Sequence, residues 1–156
     1  MKAATVSEIK KELTHRPPKE LIEFCLTLAK FKKENKELLT YLLYEKSNEA
    51  SYIESVKRDV DEQFDLINKK NFYLIKKGVR KILRNLKKYI RYSKRKDTQV
   101  ELLIYFCKKL KNFTPSVSKN RVLTNMYQRQ IETIKKVLPK LEEDLQYDFG
   151  IELEEL

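Results

Sequence analysis

Phe72-Tyr73-Leu74-Ile75-Lys76-Lys77-Gly78-Val79-Arg80-Lys81-Ile82-Leu83-Arg84-Asn85-Leu86-Lys87-Lys88-Tyr89-Ile90-Arg91 is the stretch that decides how this chain folds. Phe72, Ile75, Val79, Ile82, Leu83, Leu86 and Ile90 recur at intervals of three and four. At about 100° per residue they fall within an arc of roughly 100°, the apolar stripe of a helix and not the alternation of a strand. Lys76, Lys77, Arg80, Lys81, Arg84, Lys87, Lys88, Arg91, Lys94 and Arg95 fall on the opposing arc of roughly 140°. With Asn71 as a cap and an end near Lys96, the pattern predicts one amphipathic helix over about 71–96. Its charged wall is roughly 35 Å long at 1.5 Å per residue.

The charge is as informative as the period. Leu66 to Lys96 holds thirteen lysines and arginines and no acidic residue, whereas the formal net charge of the whole protein is +11. Like charges at i, i+4, such as Lys76/Arg80 and Arg84/Lys88, weaken a helix by a few tenths of a kcal/mol per pair. An uninterrupted run therefore implies something negative that compensates it. Nucleic acid is one such partner, because lysines and arginines along a helix neutralise phosphates without any base-reading motif. Tyr73 projects onto the basic side and gives weak support for stacking. An anionic membrane surface is disfavoured, since it needs the apolar face that a folded domain buries. An acidic protein surface fits the same chemistry, and the chain carries two of its own. One is the face Asp59, Asp61, Glu62, Asp65; the other is the tail Glu142, Glu143, Asp144, Asp148, Glu152, Glu154, Glu155.

Outward from this helix the same period continues in both directions. A short helix is expected near Ser7–Thr14 with Ser7 as its cap, stopped by Arg16-Pro17-Pro18. A second places Leu21, Phe24, Cys25, Leu28 and Phe31 on one face, and a third follows Asn35. The fourth starts near Ser51, with Ile53, Val56, Val60, Phe64 and Ile67 in register. Thr98 with Glu101 reads as a capping box for a sixth helix that is apolar nearly all round and so belongs at the centre of the packing. Residues 112–120 read as a loop. The last helix begins near Arg121 and is broken by Pro139, which lacks the backbone donor a helix interior needs. With two glycines, four prolines and no strand-like alternation, the expectation is an all-α fold of six to seven helices. It forms one domain over 1–156, a compact bundle or a short solenoid-like stack of hairpins, with the acidic tail 150–156 frayed.

Leu21, Ile22, Phe24, Cys25, Leu28 and Phe31 are matched at a constant offset by Leu103, Ile104, Phe106, Cys107, Leu110 and Phe113. A duplicated helical unit and the limited vocabulary of buried helices both account for the match. Cys25 and Cys107 lie in apolar runs and read as buried free thiols in a reducing cytoplasm. No apolar leader opens the sequence, and its longest apolar run is too short to span a bilayer.

Catalytic chemistry is not nominated. His15 is the only histidine, which removes triads, His-rich zinc sites and the paired Glu-x-x-His motifs of di-iron bundles. The acidic clusters sit on single helix faces and do not supply the convergence Mg²⁺ or Ca²⁺ requires. The expectation is no enzyme, no cofactor and no metal. His15 is expected to cap carbonyls at a helix end, and Gly78 to admit a neighbouring backbone.

Val6-Ser7-Glu8-Ile9-Lys10-Lys11-Glu12-Leu13, Lys19-Glu20-Leu21-Ile22 and Lys33-Glu34-Asn35-Lys36-Glu37-Leu38-Leu39, within residues 6–43, resemble a group of small helical bacterial proteins with no assigned activity. The resemblance implies a helical fold and carries no site. The sequence thus predicts a non-catalytic interaction or scaffold protein with a basic helix on its surface. The alternative is sequence-nonspecific nucleic-acid binding through that helix.

Overall fold

Three asparagines set the starts of three helices. Asn48 accepts from the Ser51 amide at 3.1 Å, Asn71 from Leu74 at 2.9 Å, and Asn120 from Val122 and Leu123 at 3.1 and 3.2 Å. Each bond satisfies an amide that the first helical turn leaves without a partner. The computed structural model describes all 156 residues. They form α1 (Val6–Thr14), α2 (Pro18–Phe31), α3 (Lys33–Thr40), α4 (Glu49–Asp65), α5 (Phe72–Ser93), α6 (Lys96–Lys111), α7 (Arg121–Val137) and α8 (Glu143–Glu154). There is no strand. The all-α class holds, with eight helices instead of six or seven, because α8 is separate from α7. The break comes where Pro139 was expected to place it: a 3₁₀ turn at Leu138–Lys140 separates the two.

The chain divides into two compact units, 1–45 and 46–156. In the first, α1 starts at a capping box between Thr5 and Glu8, two residues before the expected cap Ser7. His15 stands at its C-cap, where its backbone amide, not its ring, meets the carbonyls of Glu12 and Leu13. Helix α2 packs against α3, which starts at Lys33. Asn35 is therefore inside α3, and its amide nitrogen donates back to the Leu28 carbonyl at 2.8 Å. A π-helical turn, Tyr41–Glu45, extends α3 and buries Tyr41.

In the second unit α6 is the axis, as its all-round apolar sequence requires. Val100, Leu102, Leu103, Ile104, Phe106, Cys107 and Leu110 are fully buried, and α4, α5, α7 and α8 all pack on it or its flanks. Val56, Val60 and Phe64 close the core from α4; Ile75, Val79, Ile82 and Leu86 close it from α5; Leu123 and Ile134 close it from α7. Phe64 sits between the Phe106 and Phe113 rings at 5.9 and 6.0 Å. At roughly 1.5–3 kcal/mol for each buried large aliphatic or phenylalanine side chain, this apolar seam outweighs any surface ion pair.

Three further expectations change. Four of the six matched pairs lie in opposite environments. Ile104, Phe106, Cys107 and Leu110 are buried, but their counterparts Ile22, Phe24, Cys25 and Leu28 are exposed. A common pattern thus serves two different packing roles. Cys25 is consequently an exposed thiol, and only Cys107 is buried. Gly78 admits a side chain and no backbone: a Cβ there would lie 3.0 Å from Ile67 Cγ1.

Candidate functional site

The basic helix starts where the sequence places it, after Asn71, and ends at Ser93, short of the expected Lys96. Helix α5 has 22 residues, a length of about 33 Å. Its apolar side, including Ile75, Val79, Ile82, Leu86 and Ile90, is buried in the second unit. That leaves the opposite side to solvent, and Lys77, Arg80, Lys81, Arg84, Lys87 and Arg91 are all exposed there, with Lys76 and Lys88 half-buried. Lys94 and Arg95 do not continue the wall. Lys94 turns into the left-handed region at φ 60°, and Arg95 precedes α6 and pairs with Asp97 at 2.5 Å. That pairing holds the Asp97 carboxyl below the usual range. The helical part of the stripe therefore runs from Lys76 to Arg91.

The positions of the acidic segments decide what this stripe faces. The Asp61 carboxylate accepts from the Tyr105 hydroxyl at 2.7 Å and pairs with Lys109 at 2.9 Å, both on α6. Burial pulls its pKa up, but these bonds outweigh it and hold the carboxyl below its ordinary value. The same contact, added to burial, pushes the Tyr105 hydroxyl up to about 12. Asp59 accepts from Gln63, and Gln63 accepts from Asn85 of α5, a neutral bridge. In the tail, Glu152 pairs with Lys108 at 2.6 Å, and the Glu155 carbonyl accepts from Lys111 at 2.7 Å. The tail expected to fray is helical to Glu154, and the Leu156 carbonyl accepts from the Tyr127 hydroxyl. Asp61 of the first acidic segment and Glu152 of the second are thus held by lysines of α6. Lys76, Lys77, Arg80, Lys81, Arg84, Lys87, Arg91 and Lys94 form no ion pair; Lys88 stands over the Tyr89 ring at 4.7 Å.

The stripe is flanked by two clefts, and Arg80 borders both. On one side Gln63, Leu66, Ile67 and Asn68 face Tyr73, Lys77, Lys81 and Arg84 across a cleft of about 600 Å³. Tyr73 is 70% exposed at its edge. On the other side α5 and α7 stand apart above α6 and leave a groove of about 660 Å³. Arg80 and Lys87 line its α5 wall, and Arg129 and Lys136 its α7 wall. The sequence reading overlooked the second pair. The available signal is the spacing: each pair is seven residues apart, two helical turns, so both cations of a pair point the same way.

No group of three or more histidine, cysteine or acidic side chains is arranged to hold a metal ion. Burial pushes the Cys107 thiol up to about 12, so it remains a protonated core side chain. No helix is long and apolar enough to cross a membrane. Compared with protein-family models, with curated proteins and with solved structures, the chain finds no match in any of the three.

Proposed function

We propose that this protein is a non-catalytic helical interaction module and that its working surface is the basic face of α5. The anionic partner we assign to that face is nucleic acid, held through its phosphates without sequence preference. The observation that carries the reading is the row Lys77, Arg80, Lys81, Arg84, Lys87, Arg91, exposed and without a carboxylate partner. Two of the acidic groups that were candidates to neutralise it, Asp61 of α4 and Glu152 of α8, are engaged on α6 instead. Phosphates along a strand supply the missing negative charge and release counterions in doing so, which gives affinity without a base-reading motif.

The apolar side of α5 is core, so the helix has no free face to lay into a lipid headgroup layer. A protein with an acidic surface is the remaining competitor. Binding to random-sequence oligonucleotides separates the two: an affinity that is independent of sequence and falls steeply with salt belongs to the phosphate reading. Absence of binding at low salt removes it.

A further inference from the structure

The groove between α5 and α7 holds one feature that its cations do not explain. Gln130 lines it and is 3% exposed. Its Nε2 donates to the Met126 carbonyl at 3.1 Å, which fixes the orientation of the amide. Its Oε1 has no hydrogen-bond donor, and no other buried side-chain nitrogen or oxygen in the chain is left without a partner. Native folds pair their buried polar atoms because an orphaned one is expensive, so such an atom in the lining of a cleft points to a ligand donor. Around it the cleft carries Arg80, Lys87, Arg129 and Lys136 against a single carboxylate, Glu132. It therefore offers positive charge on both walls and one acceptor beneath them.

We propose that this groove seats a single strand of nucleic acid, with phosphates on Arg80, Lys87, Arg129 and Lys136 and a hydrogen-bond donor of the strand on Gln130 Oε1. The proposal rests on the nucleic-acid reading above and names the form that is bound. A duplex keeps its bases stacked and paired inside and presents chiefly its phosphates, so the exposed ridge of α5 serves it and the buried acceptor does not. A single strand fits between the helices and brings donors that a duplex keeps paired: base amines and, in RNA, the 2′-hydroxyl. Where the strand leaves the groove past Arg80 it meets Tyr73, an exposed ring on which a base stacks without regard to sequence.

The test uses the full chain and labelled oligoadenylate as RNA, as DNA and as a DNA duplex with oligothymidylate. Wild-type protein is expected to bind the single strands at least about tenfold more tightly than the duplex. Arg129→Glu with Lys136→Glu, both on the exposed side of α7, removes at least about tenfold of single-strand affinity and changes duplex affinity far less. Gln130→Met keeps the volume and removes the acceptor. A loss confined to RNA identifies the 2′-hydroxyl as the donor, and a loss on both single strands identifies the adenine amine. Two results overturn the groove: a duplex bound as tightly as single strands, or single-strand affinity untouched by both the α7 pair and Gln130→Met. Failure of the wild type to bind any of the three at low salt instead removes the underlying nucleic-acid reading. Thermal unfolding of each variant separates a lost contact from a lost fold.

Discussion

Thr98 shows what a single residue hides from a sequence. Thr98 and Glu101 have the spacing of a capping box, yet α6 begins at Lys96 and both residues lie inside it. Thr98 is fully buried and its hydroxyl donates at 2.6 Å to Glu49, while Glu101 takes Lys57 at 2.7 Å. Glu49 also accepts from the Ser93 hydroxyl, so one buried carboxylate ties the start of α4 to the end of α5 and the first turn of α6. Local spacing cannot reveal partners 44 and 49 positions away. The cysteines make the same point in reverse: identical apolar neighbours surround an exposed Cys25 and a buried Cys107. A thiol reagent at pH 8 is expected to label one cysteine of the native protein quickly and the second only on unfolding. Fast labelling of both in the native state contradicts the placement of Cys107.

At the scale of the element, α5 was the most legible part of the chain. Its asparagine cap, apolar face and charged face follow from a period sustained over six turns, which tertiary packing reinforces. Its end was not legible, because Ser93-Lys94-Arg95-Lys96 continues the basic run without a glycine or proline to mark the stop. The chain leaves the helix through Lys94 at φ 60°, a conformation that costs a residue with a Cβ roughly 1–2 kcal/mol. Lys94→Gly is therefore expected to raise the unfolding free energy by about 1 kcal/mol in denaturant melts. A destabilised variant contradicts that geometry. The α7 half of the groove was illegible for a different reason. Arg129 and Lys136 are ordinary surface cations on their own helix, and only the packing of α5 and α7 on α6 sets them opposite Arg80 and Lys87.

At the scale of the whole molecule, the all-α class and the central place of α6 were readable from composition and period. The division at residue 45 and the destination of the acidic tail were not, because both depend on which surfaces meet. The tail had two candidate cationic hosts, and helical phase selects Lys108 and Lys111 of α6. Removal of residues 142–156 strips Phe149 from the core and is expected to cost at least about 2 kcal/mol of stability. At physiological salt, where charges farther apart than about 8 Å are screened, oligonucleotide affinity is expected to change less than about threefold. A gain of more than about tenfold would instead show that the tail masks the stripe.

The central claim is that the exposed cations of α5 hold phosphates. Its most direct test is the salt dependence of oligonucleotide affinity for the wild type and for Arg80→Glu with Lys87→Glu. A linear fall of log K with log salt is expected for both, with the slope of the variant shallower by about 1.4 on a single strand, two phosphate contacts at about 0.7 each. Equal slopes and equal affinities for the two proteins, or no binding by the wild type at low salt, would contradict it.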